Sequence, residues 1–110
     1  MIIVQRPWGN FKRFVFNEKC TVKILEVKSH QEFSLQKHKN RVESWYFMTD
    51  GYVQIGEKRK KIKKGTLIKI NKNTPHRIFS KHKTIEVLEI SYGKFDEKDE
   101  IRLEDKYGRT

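Results

Sequence analysis

The chain has 110 residues, of which 25 are Lys or Arg and 14 are Asp or Glu, so its formal net charge is +11. This length predicts one domain, residues 1–110, and leaves no room for a second catalytic domain. With 35% hydrophobic and 12% aromatic residues, the composition also excludes a natively disordered chain.

Cys20 is the only cysteine, which excludes an internal disulfide and a cysteine-built zinc site. The first seven residues lack the basic start and long apolar run of a signal peptide. No stretch approaches the roughly 20 apolar residues that a membrane span needs. We therefore expect a soluble, cytoplasmic protein.

Apolar residues recur at period two along most of the chain, the pattern of short β-strands. Turn residues bound each run, and Asp50-Gly51 predicts a hairpin between its two neighbours. Trp8 and Trp45 are expected in the core, and only residues 96–100 could hold a helical turn. The runs predict an all-β sandwich, jelly roll or barrel, with strands near residues 22–27, 33–36, 45–48, 52–55, 66–70, 76–79 and 84–90.

Potential metal ligands concentrate between residues 36 and 43. Gln36, His38 and Asn40 alternate, so in a strand they would share one face. Glu43 shares its face with apolar residues and is expected to point inward, where a lone carboxylate is costly. If the sheet curls, His76 comes opposite this group, and the set would suit zinc, iron, nickel or manganese.

Four short motifs stand in order along the chain. The chain opens with Arg-Pro-Trp-Gly at residues 6–9, and Gln-x-His-x-x-Arg-x-Glu-x-Trp follows at residues 36–45. Pro-His-Arg stands at residues 75–77, and the close is Glu-Asp-x-Tyr-Gly-Arg at residues 104–109. Together these motifs resemble the cupin module of type II mannose-6-phosphate isomerases, and the resemblance runs over nearly the whole chain, from Arg6 to Arg109.

The resemblance implies a double-stranded β-helix of jelly-roll type with a metal inside the barrel. It implies His38, Glu43 and His76 as ligands of a divalent metal, with zinc first and Gln36 as a further ligand. Most relatives carry a second histidine where this chain has Asn40. It further implies interconversion of mannose 6-phosphate and fructose 6-phosphate in a homodimer, and it leaves open a non-catalytic cupin that binds a sugar phosphate or nucleotide sugar.

Further basic and acidic residues have two interpretations each. Lys23 could serve as a base, bind phosphate or face solvent, and Glu89 could transfer a proton or pair with a buried base. Arg102 and Arg109 could clamp a sugar phosphate, with Arg102 also a catalytic candidate, or they could pair with Glu104 or Asp105. Neither a nucleic acid nor a membrane is expected as a partner, because the lysines spread along the chain and no aromatic–basic recognition motif accompanies them.

Overall fold

The computed structural model describes residues 1–109, and the chain forms eleven strands and no helix within that range. The β-branched and aromatic runs supply most of the strands. The strands are β1 Ile2–Arg6, β2 Gly9–Arg13, β3 Cys20–Val27, β4 Leu35–Lys37, β5 Glu43–Phe47, β6 Gly51–Ile55, β7 Lys58–Ile62, β8 Leu67–Ile70, β9 His76–Phe79, β10 Ile85–Tyr92 and β11 Ile101–Glu104.

Two antiparallel sheets form the body of the molecule. One has four strands in the order β3-β10-β5-β8, and the other has five in the order β11-β4-β9-β6-β7. The core draws on inward-facing residues of both sheets, so it lies between them. Its buried members are Val27, Trp45, Phe47, Val53, Ile70, Ile78, Ile85 and Val87. The predicted sandwich of short strands is therefore confirmed.

The prediction of a hairpin at Asp50-Gly51 is wrong, because β5 and β6 belong to different sheets. The turn carries the chain from one sheet to the other. The Asp50 carboxylate accepts a hydrogen bond of 2.8 Å from the backbone N–H of Lys64. A Cβ on Gly51 would lie 2.8 Å from the Phe47 ring, so this crossing requires glycine. The true hairpin comes one turn later, where β6 pairs with β7.

The strands β1 and β2 pair only with each other, and we call residues 2–13 the arm. Trp8, at the turn of the arm, is 73% exposed, so its predicted core position is wrong, whereas Trp45 is fully buried as expected. The reason is that aromatic character alone does not distinguish a core residue from one on a protruding hairpin.

Residues 96–100 form turns rather than a helix, with the Asp99 N–H bonded to the Asp96 carbonyl at 3.1 Å. Residues 1–109 contain no helix long and apolar enough to cross a membrane.

Candidate metal centre

Three predicted ligands meet at one end of the sandwich, although they come from different sheets. His38 follows β4 and His76 begins β9, both in the five-stranded sheet. Glu43 begins β5 in the four-stranded sheet. All three side chains are buried, at 3% exposed or less. The site therefore spans the gap between the two sheets.

The donor atoms of these three residues converge. Glu43 Oε1 lies 3.7 Å from His38 Nε2 and 3.5 Å from His76 Nε2. One potential ligand atom from each residue lies within 4.8 Å of the others. Two imidazoles and a carboxylate at this spacing form the kind of set that holds zinc and leaves a further position open.

Backbone carbonyls orient both histidines. His38 Nδ1 lies 2.5 Å from the Asp99 carbonyl oxygen, and His76 Nδ1 lies 2.7 Å from that of Thr74. A carbonyl only accepts, so each Nδ1 carries the proton in these contacts. In the neutral ring, Nε2 then bears the lone pair and faces Glu43. A hydrogen bond from the ring nitrogen that does not face the metal, here Nδ1, commonly fixes the orientation of a metal-ligating imidazole.

Arg41 supplies independent support for the orientation of His38. Its Nη2 lies 3.2 Å from His38 Nε2, and its Nε donates to Glu43 Oε2 at 3.1 Å. A guanidinium only donates, so the Nε2 of His38 is an acceptor. Ser91 Oγ also donates to Glu43 Oε2, at 3.1 Å. The carboxylate thus has one well-satisfied oxygen and one that faces the imidazoles.

The oxygen that faces the imidazoles, Glu43 Oε1, shows whether these residues suit a metal ion. Glu43 Oε1 is buried and has no hydrogen-bond partner. Burial opposes ionisation of Glu43, but its polar neighbours, Arg41 among them, outweigh burial and lower the pKa of the carboxyl. Burial lowers the pKa of His38 despite its hydrogen bond to Asp99, which favours the neutral ring. An ionised oxygen facing neutral imidazole nitrogens is a site for a cation, and the residues therefore fit a divalent metal.

A cavity of about 210 Å³ opens onto these ligands. It brings together most of the side chains that the sequence nominated, along with three apolar side chains and the charged residues Arg41 and Glu100. The lining residues are Lys23, Leu25, Phe33, Gln36, His38, Arg41, Glu43, Trp45, His76, Glu89 and Glu100. Lys23 and Glu89 face each other across β3 and β10, which places a base and an acid in the same wall.

Glu89 is the second buried carboxyl group of the cavity. Its Oε2 accepts a hydrogen bond of 3.3 Å from Trp45 Nε1. Burial, with the nearby charge of Glu43, raises the pKa of Glu89 from its ordinary value of 4.5 to about 7. The pKa values of the two carboxyl groups therefore differ widely. Glu43 is ionised, whereas Glu89 can hold or release a proton near neutral pH.

Asn40 does not join the ligands, so its predicted place beside Gln36 and His38 is wrong. The strand β4 ends at Lys37, and the alternation of faces ends with it. The Asp99 carboxylate accepts hydrogen bonds from the N–H groups of Lys39 and Asn40, at 2.8 and 2.9 Å, and turns the chain. Asn40 is exposed as a result. Gln36 does reach the cavity, and it pairs directly with His76 across β4 and β9.

Arg102 and Arg109, the two arginines nominated near the C-terminus, lie outside the cavity lining. Arg102 Nη2 is 3.0 Å from an oxygen of Glu100, a residue that does line the cavity. Arg109 is half exposed and bonded to Asp105 at 2.8 Å. The second contact is the ion pair that the sequence offered as an alternative to phosphate binding.

Sequence reasoning did not select Arg41 and Asp99, which contact the ligands directly. Arg41 stands two residues before Glu43 within the Gln-x-His-x-x-Arg-x-Glu motif, so its regular position was a usable signal. Asp99 lies 61 residues after His38, and nothing in the local pattern connects the two.

The family model described as mannose-6-phosphate isomerase C-terminal matches residues 2–105. The chain belongs to this family. It is 33% identical over 115 residues to the alginate biosynthesis protein AlgA of Pseudomonas aeruginosa, and 30% identical over 110 residues to the mannose-1-phosphate guanylyltransferase ManC of Salmonella typhimurium. Each match covers 97% of this chain and 23% of the relative, so the chain spans about a quarter of the length of these biosynthetic proteins.

Solved structures agree on the fold. A cupin 2 conserved barrel domain protein from Rhodopseudomonas palustris superposes with a TM-score of 0.66 at 17% identity, covering 87% of this chain and 83% of that protein. The architecture is therefore the cupin double-stranded β-helix that the motifs implied. The relatives of this chain include sugar-phosphate enzymes.

Proposed function

We propose that this protein is a metal-dependent aldose–ketose isomerase that interconverts mannose 6-phosphate and fructose 6-phosphate. The observation that carries the proposal is the convergence of Glu43 Oε1 on the Nε2 atoms of two oriented histidines, next to a second carboxyl in the same cavity. Such an isomerisation needs polarisation of a carbonyl, movement of one proton between neighbouring carbons, and movement of a second proton from the hydroxyl oxygen of one carbon to the carbonyl oxygen of the other. The cavity offers a candidate metal site for the first task and titratable side chains for the proton transfers.

His38, Glu43 and His76 are the residues that would hold the metal, and Gln36 is placed to add an amide oxygen. The nitrogen and oxygen donors suit zinc first, and also iron, nickel or manganese. When bound, such a metal supplies a Lewis acid for the sugar carbonyl. Arg41 shares Glu43 with the histidines and holds the carboxylate in its ionised form.

Glu89 is our candidate for the general base. A base works best when its pKa lies near the operating pH, and the pKa of Glu89 is raised to about 7. The Trp45 indole fixes the direction of its carboxyl. Glu89 in this role removes the proton from one carbon of the sugar and returns it to the next.

Lys23 is our candidate for the cation that holds the phosphate. It is exposed at the cavity, and its Nζ lies 4.1 Å from the centre of the Phe95 ring. A phosphate at the mouth could therefore reach an ammonium group while the sugar extends toward the histidines. The protein's one free thiol, Cys20, is consistent with action in the cytoplasm, which we include in the proposal.

A coupled assay of the zinc-loaded protein with mannose 6-phosphate, with and without a chelator, tests this function. We expect production of fructose 6-phosphate that the chelator removes and added zinc restores. Glu89→Gln keeps the shape of the carboxyl and should lower kcat by roughly 10²–10⁴-fold with the metal content unchanged. Glu97→Gln, on an exposed turn, is the control.

A non-catalytic cupin that binds a sugar phosphate or nucleotide sugar is the second candidate. It is favoured by the position of Arg102 and Arg109, which pair with Glu100 and Asp105 instead of lining the cavity. Metal-loaded protein that binds mannose 6-phosphate in calorimetry, yet forms no fructose 6-phosphate, would replace the isomerase with this function. Absence of both binding and turnover would reject both candidates.

A further inference from the structure

Arg41 uses each nitrogen of its guanidinium in a separate polar contact beside the candidate metal centre. Nε donates to Glu43 Oε2 at 3.1 Å, Nη1 donates to the Asp96 carbonyl at 3.2 Å, and Nη2 donates to His38 Nε2 at 3.2 Å. The group also packs on the Phe95 ring, with Cζ 4.5 Å from the ring centre. The side chain is only 8% exposed. Arg41 is therefore a buried cation whose three nitrogens all have partners.

The hydrogen bond from Arg41 to His38 and a metal bound to His38 exclude each other. Nδ1 of His38 carries its proton toward the Asp99 carbonyl, so the neutral ring has one lone pair, on Nε2. A metal ligated by His38 needs that lone pair, and so does the hydrogen bond from Arg41. Arg41 must therefore give up this contact whenever His38 ligates a metal. Its other two hydrogen bonds involve different acceptors, so the guanidinium can stay beside the site.

The released donor faces a cavity that holds a second cation. A buried, charged N–H group without an acceptor is costly, so Nη2 needs a new partner. Among the described residues that line the cavity, Arg41 is the only arginine, and Lys23 lines it as well. Both cations pack on the same aromatic ring, since Lys23 Nζ lies 4.1 Å from the centre of Phe95. The two cations therefore lie at one part of the cavity wall.

The carboxyl groups of the cavity are poor candidates for the new partner. Glu43 already accepts from Arg41, and Glu100 pairs with Arg102 at 3.0 Å. Glu89 retains a proton up to about neutral pH because burial raises its pKa to about 7. An anion that enters the cavity is a better acceptor. The planar fork of a guanidinium matches the oxygens of a phosphate monoester, which offers several acceptors and a high charge.

We propose that a divalent metal and a phosphate monoester bind in this cavity cooperatively, with Arg41 as the residue that couples them. Arg41 is held on His38 as long as no metal competes for Nε2, and it becomes available to the phosphate when His38 ligates a metal. Lys23, on the same Phe95 ring, completes the phosphate site. By linkage, phosphate then strengthens metal binding by the same factor. The inference rests on the metal site of the proposed function, but it requires no turnover.

Binding of methyl phosphate, a phosphate monoester without a sugar, tests the coupling. In titration calorimetry of the full chain, we expect zinc-loaded protein to bind it roughly 5–150-fold more tightly than chelator-treated protein does, the usual range for coupled sites. Saturating methyl phosphate should raise the affinity for zinc by the same factor, measured against a competing chromophoric chelator. Because this probe has no carbonyl, the result does not depend on whether the protein is an isomerase.

A pair of arginine variants separates the guanidinium from the metal. Zinc-loaded Arg41→Gln should bind methyl phosphate with nearly the same affinity as its chelator-treated form. Arg59→Gln is the matched control and should keep the wild-type ratio. Arg59 also packs on a phenylalanine ring, with Cζ 4.6 Å from the centre of Phe79, but it is exposed on β7 and does not line this cavity. The zinc content of each variant is measured first.

Nuclear magnetic resonance of the wild type follows Arg41 without a substitution, and it decides the case if Arg41→Gln binds no zinc. With labelled arginine, the Nη protons of Arg41 should exchange slowly while Nη2 is bonded to His38. Added zinc should shift these resonances and speed their exchange. Methyl phosphate added after zinc should slow the exchange again.

Three results would overturn the proposal. The first is equal affinity of zinc-loaded and chelator-treated wild type for methyl phosphate. The second is an unchanged dependence on zinc in an Arg41→Gln variant that retains zinc, which would place the phosphate on the metal alone. The third is a set of Arg41 Nη resonances that zinc leaves unchanged. Coupling in the wild type without formation of fructose 6-phosphate would instead reject the isomerase and leave this inference standing.

Discussion

The indole Nε1 of Trp45 donates a hydrogen bond of 3.3 Å to Oε2 of Glu89, although the two residues lie 44 positions apart. They are direct neighbours across β5 and β10. This hydrogen bond opposes the effect of burial, because it favours the ionised carboxylate. The core tryptophan therefore contributes to the acidity of the cavity as well as to packing.

Replacing Trp45 by Phe should raise the pKa of Glu89 further, since the carboxylate loses its only side-chain donor among the hydrogen bonds described. We expect the acidic limb of the kcat/KM profile to move upward by about half a unit to one unit. Trp8→Phe, at an exposed tryptophan, is the matched control. An unchanged acidic limb in Trp45→Phe would contradict this role, whatever happens to kcat.

The same carboxyl should make stability depend on pH. The native state keeps a proton on Glu89 that the unfolded chain releases, so between pH 4.5 and about 7 the free energy of unfolding should fall as pH rises. The loss is of the order of 3 kcal/mol, and it levels off above the native pKa. His38, with its lowered pKa, gives a slope of opposite sign at mildly acidic pH.

Urea unfolding of chelator-treated protein at several pH values separates these contributions. The difference in unfolding free energy between Glu89→Gln and the wild type should grow from pH 4.5 to 7 and stay constant above it, because the contribution of His38 cancels. Glu57→Gln, in the exposed turn after β6, is the matched control. A flat difference for Glu89→Gln would show that its carboxyl titrates normally.

Loss of one ligand should remove the metal. We expect His76→Ala to abolish measurable zinc binding in calorimetry and to abolish turnover with it. His82→Ala is the matched control, since His82 is exposed and its ring contacts only His30 among the aromatic pairs described. Retention of zinc at full stoichiometry in His76→Ala would exclude the ligand set proposed here.

Asp99 should act on the metal through His38. Its carboxylate holds the N–H groups of Lys39 and Asn40, and its carbonyl holds His38 Nδ1. Asp99→Ala releases the loop and should weaken zinc binding by roughly 10–100-fold. Glu97→Ala removes a nearby exposed carboxylate and should leave the affinity unchanged. Equal affinities in the two variants would show that the loop keeps its shape without Asp99.

The sequence was informative where local periodicity and burial agree. The alternation around Trp45 and Phe47 predicted both the strand and the inward direction of Glu43. A carboxylate among core residues is costly unless a cation or a hydrogen-bond donor accompanies it, so its position also pointed to a site. The family motif led to His38 and His76, whose separation of 38 positions conveys no geometry by itself.

Long-range contacts account for the failures. Asn40 follows the period-two pattern, yet Asp99 turns the chain before the pattern can apply. Asp50-Gly51 has the residue types of a hairpin turn, yet the chain passes there from one sheet to the other, with Gly51 packed against the buried ring of Phe47. Trp8 belongs to an arm that pairs with neither sheet. In each case the tertiary arrangement, and not the local pattern, decides the position of the residue.

The division of the three ligands between the two sheets gives the site a mechanical role. Separating the two sheets beside these residues would pull Glu43 away from His38 and His76. A cation bound by all three side chains would link the two sheets. Its binding free energy would then add to the free energy needed to separate them. Hydrogen exchange at this end of β5 and β9 should therefore slow when zinc is added, while exchange in the arm stays the same. If the proposed function holds, the same ion would serve both the reaction and the integrity of this end of the sandwich.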